Sequence, residues 1–182
     1  MMQTYKELMK LRDISSKIIS TKTFDIIPEE DIQDYMQKNP NEKLIEVDDN
    51  IAYAICVLNK KGYKTEFCCE GHYKPINEYS RQLMEKNTGV SFTPGIGGYI
   101  AFSDGIMFPF ESQCPLDWGA VKTNEHFDEE LNVKKGYWIT LYANISEEGE
   151  RDEALFQREK LQSLSALYDW VESLPDRSGV DA

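Results

Sequence analysis

Two histidines and four cysteines are the whole supply of imidazole and thiol in 182 residues, and no apolar run approaches the roughly 20 residues that a bilayer-spanning helix requires. The opening stretch, MMQTYKELMKLRD, also lacks the charged, then apolar, then small-residue layout of a secretory signal. Together these absences lead to the expectation of a cytoplasmic chain with no membrane partner. Cys56, Cys68, Cys69 and Cys114 are too few and too irregularly spaced for a disulfide scaffold, and a reducing cytosol keeps such thiols reduced. Positive charge is scarce as well: 20 basic residues face 32 acidic ones, for a formal charge of −12. A chain so acidic repels nucleic acid at long range and is drawn toward basic surfaces. No internal repeat and no low-complexity run is present.

What the chain does have is enough material for a core, with 41% hydrophobic and 12% aromatic residues, and its length fits one domain. Charge is distributed unevenly. Lys6, Lys10, Arg12, Lys17 and Lys22 against Glu7 and Asp13 make the first 22 residues basic, so the remainder is more acidic than the chain as a whole.

Apolar residues at Tyr5, Leu8, Leu11, Ile14 and Ile18 recur every three to four positions, which predicts an amphipathic helix over 3–20 with Lys6, Lys10 and Lys17 on another face. A second helix is expected within 26–40, opened by Pro28 and the acids Glu29, Glu30 and Asp31 and stopped by Pro40. From 44 onward the pattern reads strand, helix, strand. LIEV is the first strand, Asp48 or Asp49 caps a helix that buries Ile51, Ala54, Ile55 and Leu58, Gly62 ends it, and YKTEFCC follows. A short helix over 79–86, a strand at YIAF, irregular structure over 106–135 and a long strand at GYWITLYANI come next. The last element is a helix from about Glu148 to Ser173, with Ala154, Leu161, Leu164, Tyr168 and Val171 as its buried stripe. The expected fold is α+β: a single domain with a mixed sheet of about four strands, helices mainly on one face, an N-terminal helical segment over 1–40 and a core over 41–182 that ends in the long helix.

The densest chemistry lies in GYKTEFCCEGH, residues 62–72. Cys69 and His72 have C-x-x-H spacing, and Cys114 with His126 would complete a tetrahedral zinc set, yet the second pair lacks knuckle-like spacing and no metal or cofactor is expected. Cys69 with His72 as its base would make a nucleophile. Alternation along FCC sends the neighbouring cysteines to opposite faces of the strand, so at least one of them belongs to the core. Cys69, Glu70 and His72 are therefore the candidate catalytic or ligand-binding residues. TPGIGG matches no phosphate-binding loop, since it runs into a strand where those loops run into a helix. Lys6, Lys10 and Lys17 are candidate phosphate contacts, and several aromatics on YIAF and YWITLY are candidate stacking surfaces or core.

With DDNIAYAICVLNKKG before it and GGYIAF after it, GYKTEFCCEGH resembles a group of small, largely uncharacterised proteins of Gram-positive bacteria and their phages, in which N-K-K-G-Y leads to a C-x-G-H strand end and then a Y-I-x-F strand. The same turn is faintly similar to the S-C-S-G-R turn of wybutosine-synthesis methyltransferases, which act on tRNA; here Cys68 and His72 replace its serine and arginine. By type, a small acidic phage-like chain is similar to the anti-CRISPR inhibitors of Cas9. That likeness implies binding to the basic nucleic-acid channels of the nuclease or interference with its guide RNA. The preferred reading is an interaction protein in the host cytosol rather than an enzyme, its partner a basic nucleic-acid-binding protein, most concretely Cas9 with its guide RNA. Its partner-binding residues would be Glu125, Asp128, Glu129, Glu130, Glu147, Glu148, Glu150, Asp152 and Glu153. The alternatives are a small enzyme or ligand-binding domain centred on Cys69, Glu70 and His72, and an RNA-binding relative of the wybutosine proteins.

Overall fold

The computed structural model describes residues 15–73, 97–102, 114–127, 133–150 and 152–177. The helices expected over 79–86 and over the first residues of 3–20 lie outside this range. The chain is α+β, and it divides into two units, Met1–Tyr63 with Leu174–Ala182, and Lys64–Ser173.

In the first unit Ser16–Ser20 forms strand β1, which pairs antiparallel with β2 (Ile26–Ile27) on one side and β3 (Leu44–Asp48) on the other. The expected helix therefore does not reach residues 16–20. Strand partners on both flanks satisfy β1's backbone groups, and β-branched Ile18 and Ile19 suit that setting better than a helix turn. Because β1 pairs with β3, the unit is continuous across residue 40. The single helix expected within 26–40 is also divided. Pro28 sits at φ −55°, ψ 144° and pushes Ile27 before it into extended backbone, so a short 3-10 turn, Glu29–Asp31, leads into helix α1, Ile32–Lys38.

Helix α2 spans Asp49–Lys60, with Asp48 at its N-cap, and buries Ile51, Ala54, Ile55 and Leu58 as the periodicity predicts, together with Ala52 and Cys56. Burial pushes the Cys56 thiol pKa up, against a smaller opposing pull from Lys60. The C-terminus of α2 closes in a Schellman arrangement: Tyr63 N–H donates to the Leu58 carbonyl at 2.9 Å and Gly62 N–H to Asn59 at 3.1 Å. Gly62 stands at φ 86°, a conformation in which a side chain would be strained. Tyr63 is then buried, and residues 174–177 dock on this corner. Its hydroxyl donates to the Pro175 carbonyl at 3.1 Å, Lys61 Nζ to the Leu174 carbonyl at 2.9 Å and Arg177 N–H to the Lys61 carbonyl at 2.8 Å.

At the far end of β1, fully buried Ser20 donates its hydroxyl proton to Glu42, whose second carboxylate oxygen accepts from the Tyr35 hydroxyl at 3.0 Å. The Ser20 bond, backed by Tyr35 and the Lys22 N–H, holds the Glu42 carboxyl below its ordinary pKa. A group whose folded pKa is lowered stabilises above its unfolded value and loses that contribution as pH falls through the folded one. Stability measured by urea unfolding is therefore expected to fall below the ordinary glutamate range, and Glu42→Gln to flatten that part of the pH profile. An unchanged profile in the variant would show that the carboxylate is not held by these bonds.

The second unit is built on a four-stranded antiparallel sheet, ordered β4 (Thr65–Gly71), β5 (Gly97–Phe102), β7 (Val133–Ala143), β6 (Trp118–Phe127). Strand β6 runs through the stretch expected to be irregular. It is an outer strand in this order, paired on one side only among the described residues, so exposed Val121 and Lys122 replace the continuous apolar signature of a central strand. Register places Cys68 beside Ile100 and Leu141, which are fully buried, and Cys69 beside Tyr99 and Tyr142, of which Tyr142 is 43% exposed.

Helix α3, Glu153–Ser173, covers the first of these faces, tied to it by Trp118 Nε1, which donates to the Ser163 carbonyl at 2.8 Å. It begins later than expected, because residues 147–150 form a turn and Asp152 caps the helix, accepting the Leu155 N–H at 2.8 Å. Its buried side is Phe156, Lys160, Ser163, Leu164, Leu167, Trp170 and Val171. Of the stripe read from periodicity, Leu164 and Val171 are buried, but Ala154 and Leu161 are exposed. Phe156 and Trp170 bring more apolar area than the residues they displace, and that sets the rotation of the helix. No helix among the described residues is long and apolar enough to cross a membrane.

Candidate functional site

The end of β4 carries the three residues singled out from the sequence, and the structure separates them. Alternation along the strand places Glu70 on the same side as Cys68, under α3, and Cys69 on the opposite side. Glu70 is buried, and its carboxylate takes a hydrogen bond of 2.5 Å from Lys160 Nζ. With side chains only 7% and 9% exposed, the pair is an internal tie between sheet and helix. This makes Glu70 a poor general base for chemistry on the other face.

Cys69 and His72 do come together. Gly71 at φ 84° turns the chain sharply after the strand, and the Cys69 sulfur and a ring nitrogen of His72 lie within 4.8 Å. Gly71 N–H donates to the same sulfur at 3.4 Å. Both side chains are half-buried. Of the two other members of the four-ligand set, Cys114 is not grouped with this pair among the described residues, and the backbone of His126 lies on β6 in register with Lys134. Burial pushes the Cys114 thiol pKa up, as it does that of Cys56.

The acidic residues fall into two sets. Glu125 is on β6 in register with Lys135, while Asp128, Glu129 and Glu130 lie outside the described residues. Glu147, Glu148, Glu150, Asp152 and Glu153 are all exposed, the first three on the turn that leads into α3 and the last two at the helix start. That turn is fixed from below. Glu159 accepts the Ser146 hydroxyl at 2.7 Å and its N–H at 2.9 Å, bonds that hold the Glu159 carboxyl below its ordinary pKa, and the Ser146 hydroxyl in turn accepts the Gly149 N–H at 3.0 Å. None of the five exposed carboxylates forms an ion pair among the described residues.

Comparison with family models, with curated proteins and with solved structures finds no match. Function is therefore argued from these residues alone. Of the basic face, Lys6 and Lys10 are outside the described residues. Lys17 lies on β1, not on a helix, and its ammonium is 3.4 Å from Asp49. Sequence reasoning missed Lys160. Its signal was present, because Phe156, Lys160, Ser163 and Leu167 share a helix face, and a charge in such a stripe calls for a buried counter-charge.

Proposed function

We propose that this chain is a phage-type interaction protein that acts in the host cytosol and inhibits a nucleic-acid-processing defence enzyme, most concretely an anti-CRISPR protein directed at Cas9 and its guide-RNA channel. The observation that carries the reading is the set of exposed acids Glu147, Glu148 and Glu150 on the turn and Asp152 and Glu153 at the start of α3. The five carboxylates are without cationic partners among the described residues, and Glu159 holds the start of the turn through Ser146. On a chain of net charge −12, an exposed anionic patch complements a basic surface, and its long-range field speeds the encounter. A channel built to hold an RNA–DNA heteroduplex through its backbone is such a surface. The chain's own charge argues against direct binding to RNA.

Reversing Glu147, Glu148, Glu150 and Glu153 to lysine tests the reading. Asp152 is kept, because its carboxylate caps α3. The variant is expected to fold with a stability change of about 0.5 kcal/mol or less per site. Its inhibition of DNA cleavage by Cas9 loaded with guide RNA should weaken by about tenfold or more, and the salt dependence of binding should flatten. Unchanged inhibition and salt dependence would remove the patch from the mechanism. A wild-type chain that neither binds the loaded nuclease nor slows cleavage would remove Cas9 as the partner.

A further inference from the structure

We propose that Cys69 and His72 are a chelating pair for a soft divalent cation of the zinc class. The inference is independent of the acidic patch and of its partner. A thiolate and an imidazole are the two ligand types that zinc prefers, with bonds of about 2.3 Å to sulfur and about 2.0 Å to nitrogen. Their donor atoms already lie within 4.8 Å, so small side-chain rotations bring both to bonding distance of one ion.

The local backbone supports this placement. The extended backbone of β4 would throw side chains three residues apart onto opposite faces. Gly71, at φ 84°, breaks the alternation and returns His72 to the side of Cys69. Its N–H donates to the sulfur at 3.4 Å and so holds the thiol over the turn that carries His72. On binding, the Cys69 thiol proton passes to solvent and the sulfur lone pair to the ion, while His72 coordinates in its neutral form. Half-exposure of both residues lets a hydrated ion enter, and waters or an added ligand complete the coordination. Cys68 is the informative neighbour. It is adjacent in sequence, but its register with Ile100 directs it to the opposite, α3-covered face.

Cobalt titration of the full-length chain reads the site directly, because a bound thiolate adds a near-ultraviolet charge-transfer band and tetrahedral coordination adds visible ones. Wild type and Cys68→Ala are expected to give both sets of bands at one cobalt per chain, bleached by zinc. Cys69→Ser is expected to lose the charge-transfer band, and His72→Ala to bind at least about tenfold more weakly. Circular dichroism of each variant separates loss of ligand from loss of fold. Should Cys69→Ser fail to fold, the shift of the His72 ring nitrogens on adding zinc to wild type, read by nitrogen-15 NMR, takes its place. Absence of the thiolate band in wild type at saturating cobalt, an unmoved His72, or loss of the band in Cys68→Ala rather than in Cys69→Ser overturns the proposal.

Discussion

Lys160→Met is expected to destabilise the chain by about 3–5 kcal/mol, the cost of leaving a buried carboxylate without its cation. Glu70 and Lys160 meet at 2.5 Å with side chains 7% and 9% exposed, so water can replace neither partner. Both charges were desolvated on folding. Their mutual attraction offsets that cost only while both are present, and removal of the ammonium leaves the desolvation of Glu70 in place. The double variant Glu70→Gln, Lys160→Met should recover much of the loss, since it removes the charge together with its partner. Urea unfolding of the two single variants and the double variant gives the coupling energy. A loss below about 1 kcal/mol for Lys160→Met would place the pair with exposed ion pairs. Lys17–Asp49, at 3.4 Å and with side chains 48% and 36% exposed, supplies that comparison within the same chain. Deleting it should cost about 0–1 kcal/mol.

The sequence made legible those elements whose signal is local. Helix α2 was readable because its apolar spacing, its aspartate start and its glycine end all agree, and strands β3, β4, β5 and β7 because β-branched and aromatic residues concentrate in them. What was misread depends on distant partners. Ser16–Ser20 is a strand because β2 and β3 flank it, and the β-branched pair Ile18 and Ile19 is too short a local signal to report that by itself. Trp118–Phe127 is a polar outer strand, whose pairing with β7 supplies what its composition does not. At the site, Cys69 and His72 were legible by spacing, but which of two adjacent cysteines faces which side was fixed only by register with β5. Glu70 looked like a member of the same cluster until its counter-charge, 90 residues away, placed it under α3.

Phe156→Ala is expected to cost about 3–5 kcal/mol, whereas Leu161→Ala on the same helix should change stability by no more than about 0.5 kcal/mol. Phe156 is fully buried, with its ring centroid 5.7 Å from that of Tyr73, while Leu161 is 63% exposed. The loss at Phe156 combines transfer of the ring with a cavity that backbone held on both sides cannot collapse to fill. Periodicity alone favours the opposite order, since Leu161 belongs to the stripe of Ala154, Leu164, Tyr168 and Val171. The pair therefore decides how α3 is rotated about its axis, and with it whether Lys160 faces Glu70. Thermal or urea unfolding of both variants measures the order. If Leu161→Ala were the more damaging, the helix would present its other side to the sheet and the buried ion pair would fall with it.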